Sequence, residues 1–142
     1  MSRVRWHELR HAYGSAAGVP GMLARIARGD AGTSEVALSD LAPWIGELAV
    51  FDATVAAVPF LWELAVTDTV ACRTGVIELL QAVLEHANPP QAEVQLQAHR
   101  TVLLGRLTAD LPTRDADPAV RTAAQGLLDA IDHHRCGTCR PA

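Results

Sequence analysis

The residues best suited to chemistry stand near the end of the chain, in the run His133-His134-Arg135-Cys136-Gly137-Thr138-Cys139. Two thiols spaced C-x-x-C can share one metal, because a tight turn then brings both sulfurs together. His133 or His134 would complete a four-ligand site with Cys136 and Cys139, and zinc is the cofactor such a set would take. The same two thiols could instead form a redox-active disulfide. Against both stands the position, three residues from the last residue given. Chain ends fray unless tied down, and a metal here would close only a short loop. The expectation is therefore a single helical domain over 1–134, a flexible tail over 135–142 and no bound cofactor. Zinc on His133, His134, Cys136 and Cys139 is the alternative.

His7 and His11 are spaced i, i+4, which on a helix puts them on one face and is also a metal-ligand spacing. No third ligand stands near them, so a surface or capping role is the simpler reading. Tyr13, Gly14 and Ser15 read as a helix end followed by a turn, with Gly14 at a left-handed position and Ser15 as the next N-cap. The functional reading of the same stretch is a pocket rimmed by His11, Tyr13 and Ser15. Cys72 falls in a helical pattern and reads as a small core residue. Trp6, Trp44, Trp62, Phe51 and Phe60 read as core or interface residues. Asp110, Asp115, Asp117, Asp129 and Asp132 read as solvated loop and capping charges. The sequence contains no G-x-x-x-x-G-K-[ST], G-x-G-x-x-G or G-x-S-x-G run, so phosphate-cradling and nucleophile-elbow chemistry lack their usual support.

The elements that must position these residues are helices. Breaks fall at Gly18 to Gly21, Gly29 to Gly32, Asn88 to Pro90 and Pro112 to Pro118. Between them apolar residues recur at helical spacing. Val19, Met22, Leu23 and Ile26 form a short stripe. Leu38, Leu41, Ala42, Ile45 and Leu48 form a second, and Val76, Leu79, Leu80, Val83 and Leu84 a third. Asn88 and Gln91 resemble a capping box, after which Leu96, Leu103, Leu104, Leu107 and Leu111 are predicted to share the buried face. Asp117 and Pro118 suit the N-cap and first position of a last helix that buries Val120, Ala123, Ala124, Leu127, Leu128 and Ile131. The stretch from Ala53 to Val66 is apolar almost all round and should be the most buried helix. Pro59 in its middle predicts a kink or a late start, and Pro43 is predicted to lie near a helix start. Helix starts near Pro20, Asp52 and Gln91 give three helix pairs at a period of 35 to 40 residues, as stacked helical hairpins show. A closed bundle is the alternative.

Composition narrows the classes. The 142 residues are 49% hydrophobic and 20% charged, which excludes a disordered chain. Aromatic content of 4%, with abundant Ala and Leu, favours helices over a β-sandwich. The net charge of −4 disfavours nucleic-acid binding. A HEAT-like glycosylase, which needs a basic concave face, is disfavoured with it. No apolar run reaches the roughly 18 residues that span a bilayer, and the N-terminus has no signal-peptide core, so a cytoplasmic protein is expected. All 12 basic residues are Arg, a usage that suggests a high-GC bacterial source.

Two segments carry a resemblance. They are Trp6-His7-Glu8-Leu9-Arg10-His11-Ala12-Tyr13-Gly14-Ser15-Ala16, with Val19-Pro20 after it, and Val50-Phe51-Asp52-Ala53-Thr54-Val55-Ala56-Ala57-Val58-Pro59-Phe60-Leu61. Together they resemble a bacterial, largely actinobacterial, family of HEAT-repeat-like proteins, over roughly residues 4 to 85. The resemblance implies an α-solenoid of antiparallel hairpins that binds rather than catalyses, and it brings no catalytic residues. Where many members carry a His-Gln-Gly run, this chain has Gly46, Glu47 and Leu48, so a site built on that run is absent or changed. Glu47 joins His11, Tyr13 and Ser15 as a candidate binding residue. The implied role is a non-catalytic interaction module for a protein or peptide, such as an immunity-type protein or a biosynthetic-operon accessory factor. A basic partner would suit its charge, and a second copy could cap the open ends.

Overall fold

The gap between the first two helical stripes shows how the chain builds a hairpin. In the computed structural model, which describes residues 4–11, 14–47, 51–67, 69–85, 92–108 and 117–134, α1 spans Val19–Arg28 and α2 spans Ala31–Ala42. Only Gly29 and Asp30 separate them. Asp30 is the N-cap of α2, its Oδ1 accepting the Thr33 N–H at 2.8 Å, and this occupies one of the donors that a helix start leaves open. Ser34, fully buried, lies with its Oγ 3.1 Å from both the Ile26 and Gly29 carbonyls. One side chain of α2 thus serves the open carbonyl end of α1 and holds the two helices back to back. Val19, Leu23 and Ile26 face Ala37, Leu38 and Leu41 in the core.

Pro43 does not start a helix. It ends α2 and opens a π-helical turn, Pro43–Glu47. A proline has no N–H for the Ser39 carbonyl, so the α-helical ladder is interrupted there. The wider turn still buries Ile45 completely. Thr54 then joins this turn to the next helix. Its Oγ1 donates to the Ile45 carbonyl at 2.6 Å and accepts the Phe51 N–H at 3.0 Å, with the side chain fully buried.

Helix α3 spans Asp52–Ala65 and is buried along most of its length, through Ala53, Thr54, Ala57, Val58, Leu61, Trp62, Leu64 and Ala65. It does not start late: it begins seven residues before Pro59 and runs through it. Pro59 is exposed, so the Val55 carbonyl that loses its partner lies toward the solvent side of the helix, where water can replace the bond. Helix α4, Arg73–Glu85, buries Val76, Ile77, Leu79, Leu80, Val83 and Leu84. Cys72 is buried but sits just ahead of α4, its carbonyl accepting the Val76 N–H at 3.1 Å.

Helix α5, Ala92–Thr108, turns a different face inward from the one its leucines predict. Gln95, Ala98, His99 and Val102 are buried, whereas Leu104 is 61% and Leu107 80% exposed. The reason is close approach to α3. A Cβ at Gly105 would fall inside the indole of Trp62, so the small and polar side of α5 seats against a large aromatic ring. Asn88, Gln91 and Leu111 lie outside the described residues. Helix α6, Pro118–Asp132, follows the sequence closely: Asp117 accepts the Ala119 N–H at 2.9 Å, and Val120, Ala124 and Leu127 are buried.

Before α1 the chain is not helical at the expected place. A 3₁₀ turn, Trp6–Glu8, leads into a short antiparallel ribbon of β1, Arg10–His11, and β2, Gly14–Ser15. Arg10 stands opposite Ser15, and His11 opposite Gly14. Gly14 has φ +128°, which L side chains rarely adopt. Trp6 anchors the ribbon: it is buried, with its ring centre 6.0 Å from that of Phe60 on α3.

The described residues are all-α apart from this ribbon. α1 packs on α2 and α3 on α4. α3 also packs on α5 and α4 on α6, with smaller contacts of α1 to α3, α2 to α4 and α4 to α5. Odd-numbered helices therefore meet in chain order, and even-numbered helices do likewise. α3 and α4 lie at the centre of the core. No helix among the described residues is long and apolar enough to cross a membrane.

Candidate functional site

Apart from Glu47, the predicted site residues lie toward the two ends of the sequence given, and the fold uses most of the described ones for local structure. At the N-terminal end, the ribbon places His11 on β1 while His7 lies in the 3₁₀ turn, so the two do not share a helix face. The side chain of His11 and all of Tyr13 lie outside the described residues. Ser15 is exposed, and its Oγ has local partners: it accepts the Ala17 N–H and donates to the His7 carbonyl, both at 3.4 Å. It caps the 3₁₀ turn Ala16–Gly18, as its sequence position predicts. Glu47 closes the π-helical turn, and its side chain is outside the described residues. The geometry thus gives Ser15 a capping role, while the side chains of the other three candidate residues lie outside the described residues.

At the C-terminal end, the adjacent histidines part company. His133 is exposed and ends α6, with Nδ1 2.9 Å from the Asp129 carbonyl oxygen. His134 turns inward. Its ring lies edge-on to that of His99, with centres 4.9 Å apart and planes at 85°. His99 is 1% exposed, and in both rings Nε2 is shielded from solvent. A second tie holds the same two helices: Arg106 of α5 forms an ion pair with Asp132 of α6. Cys136 and Cys139, with the rest of 135–142, lie outside the described residues, and so does the predicted tail.

Sequence reading missed His99. The available signal was its spacing: Gln95, Ala98, His99 and Val102 repeat at i, i+3, i+4 and i+7, a helical face as regular as the leucine one but with less apolar side chains.

Clefts lie between the described helices. One, about 590 Å³, is formed by α1 and α2 and lined by Arg25, Asp30, Thr33, Val36 and Asp40. Val36 is 63% exposed there. A second, about 340 Å³, lies where α2 meets α4. A third, about 230 Å³, lies between α1 and α3, lined by Leu23, Ala27, Phe60, Leu64 and Val70. Among the described residues no group of three or more His, Cys, Asp or Glu side chains is placed to hold a metal ion. Burial pushes the Cys72 thiol above its usual range, which keeps it protonated and unreactive.

Comparison of the chain with protein-family models, curated proteins and solved structures returned no match.

Proposed function

We propose that this chain is a non-catalytic module that binds a protein or peptide, its three helix pairs stacked as a short HEAT-like α-solenoid. The observation that carries the reading is the order of helix packing. α1, α3 and α5 meet in succession, and so do α2, α4 and α6, while α1–α2 and α3–α4 pair within hairpins. A hairpin cannot bury both its faces alone, and stacking neighbours in this order gives one shared core with an extended surface along each layer. A closed bundle would instead bring the first pair onto the third, and among the described residues contacts of α1 or α2 with α5 or α6 are at most slight.

The two segments that resemble the actinobacterial HEAT-like family fit the reading, since they fall on the ribbon leading into α1 and on α3. Leu104 and Leu107 add a pair of exposed apolar side chains on α5, the kind of feature that anchors a partner. The net charge of −4 favours a basic partner through complementary fields. An immunity-type protein or an accessory factor for a biosynthetic operon would use such a surface. The test is affinity capture from the source cell, followed by titration of the purified partner against the unmodified chain and against Leu104→Asp/Leu107→Asp. Saturable one-to-one binding, weakened at least about tenfold by the double change, is expected for loss of a contact centre of about 1.4 kcal/mol or more. Capture that returns no specific partner, or binding indifferent to both α5 leucines and to added salt, contradicts the proposal.

A further inference from the structure

We infer that the chain associates head to tail, the exposed face of α2 in one copy receiving the exposed face of α5 in a second copy. The inference rests on the stacked order proposed above and names one occupant for the α5 leucines. Among the described residues, the large apolar side chains left exposed are Val36 at 63%, Leu104 at 61% and Leu107 at 80%. All three stand on the first and last helix pairs, and α3 and α4 carry none of them. The end pairs of a helical stack ordinarily carry a polar outer face, which keeps copies apart. Here each end presents exposed apolar side chains. Val36 also lies away from the body of the stack. Leu38, Ser39 and Ala42 line the side of α2 that meets α4, whereas Val36 opens with Thr33 and Asp40 onto the cleft of about 590 Å³. On α5, Gly105 faces Trp62 and Arg106 reaches Asp132 of α6. Arg100, Leu104 and Leu107 share the exposed side.

The order of residue types on the two faces selects one register. Along α2 the exposed face reads Thr33, Val36, Asp40; along α5, in the opposite direction, it reads Leu107, Leu104, Arg100. Both step by three residues and then four, so antiparallel helices bring all three pairs together over about two turns. Thr33 meets Leu107, Val36 meets Leu104, and the Asp40 carboxylate meets the Arg100 guanidinium. Both charged groups are exposed, and neither has an ion-pair partner among the described residues. A parallel arrangement would set Asp40 against Leu107 and cover a carboxylate without a partner, which is costly. Pairing α5 with α5 of a second copy would cover the leucines but leave Val36 exposed and keep Asp40 apart from Arg100. Two different patches at opposite ends make a heterologous contact, so copies join into a ring or an open row. The contact is small and each copy carries a net charge of −4, so an affinity of about micromolar to millimolar is expected.

The test uses the full chain under reducing conditions, in sedimentation velocity from about 1 μM to 1 mM. The expected result is a reversible, concentration-dependent rise in mass past the dimer. Val36→Lys and Leu104→Asp/Leu107→Asp, all at exposed positions, should each stay monomeric throughout, with circular dichroism confirming the fold. Mixed in equal amounts, they should form a one-to-one pair that does not grow, because each supplies the face the other lacks. Asp40→Arg and Arg100→Glu should each weaken association at least about tenfold, and the two combined in one chain should restore it to within about threefold. An unmodified chain that stays monomeric to about 1 mM overturns the inference. So does assembly indifferent to Val36→Lys, a mixture that fails to pair, or a combined charge reversal that restores nothing. A foreign partner held by the α5 leucines would survive Val36→Lys. Failure here therefore leaves the binding role above standing, and an affinity capture without a partner leaves self-association standing.

Discussion

Replacing Gly105 with alanine tests the contact that decides which face of α5 is buried. In a helix interior, glycine to alanine is normally a gain of about 1 kcal/mol, because alanine loses less backbone entropy. At Gly105 the new methyl would fall inside the Trp62 indole, within hard contact of Nε1, Cδ1 and Cε2. Trp62 is 3% exposed and a rigid ring, so it cannot swing its far end aside as a lysine would. Overpacking a core costs about 1–3 kcal/mol, and a three-atom collision with an immobile ring belongs at or above the upper end. Subtracting the helix gain leaves a net loss of about 2 kcal/mol. Gly126 on α6 is the control. There the added methyl meets only the Gln81 amide oxygen, at 3.3 Å, and that oxygen is the end of a flexible side chain. Gly126→Ala should therefore stabilise by up to about 1 kcal/mol. Urea unfolding followed by far-UV circular dichroism reads both, with the slope unchanged so that the midpoint reports stability. For a chain of this size the Gly105 loss corresponds to a fall of roughly 6 °C in Tm. If Gly105→Ala stabilises the protein as Gly126→Ala does, α5 does not lie against Trp62 as described.

Thr54→Val keeps the shape of a fully buried side chain but removes the hydroxyl that donates to Ile45 and accepts from Phe51. It should cost about 1–3 kcal/mol in a urea titration, because buried backbone groups lose their partner. The Asp30 carboxyl is held below its usual pKa, chiefly by the Thr33 backbone N–H and then by its side chain. That contribution is present above the unfolded pKa near 3.8 and is lost as pH falls through the lower folded value. Asp30→Asn should flatten the acid limb of a Tm–pH series while retaining the cap at neutral pH; an unchanged limb refutes the assignment. Cys72 is buried and its thiol is raised above 9.0, first by desolvation. In a Cys136→Ser/Cys139→Ser background it should react with a thiol reagent at pH 8 at least about tenfold more slowly in the folded chain than in urea.

The sequence showed the helices where one strong signal set each of them. Asp117-Pro118 starts α6, and the apolar block Ala53 to Val66 marks α3 as the centre of the core. Helix starts near Pro20 and Asp52 lie within one residue of those observed, Val19 and Asp52. What was not legible depended on distant partners. Nothing local shows that Trp62 needs a glycine opposite it, so leucine spacing alone turns the wrong side of α5 inward and gives no weight to His99. The stretch before α1 has helical spacing between His7 and His11, but Gly14 takes a positive φ and pairs β2 with β1 instead. Pro43 suggests a helix start but ends α2, because Ala42 and Ile45 stay buried on either side of it and hide the break in the apolar pattern. Of the site residues, Ser15 is the cap that its position suggests, whereas His133 and His134 diverge and His134 meets His99, 35 positions away.

The central claim, that three helix pairs stack in order and do not close on themselves, is tested most directly by a distance between the first pair and the third. Spin labels on Arg25→Cys of α1 and Arg100→Cys of α5, both exposed positions, can be read by pulsed dipolar spectroscopy in a Cys136→Ser/Cys139→Ser background. Neighbouring helix axes lie about 8–10 Å apart; α3 contacts both α1 and α5, and in the proposed stack it stands between them. The account predicts a single distribution corresponding to an axis separation of about 20 Å. A distribution corresponding to direct helix neighbours, about 10 Å between axes, would mean a closed bundle and would contradict it.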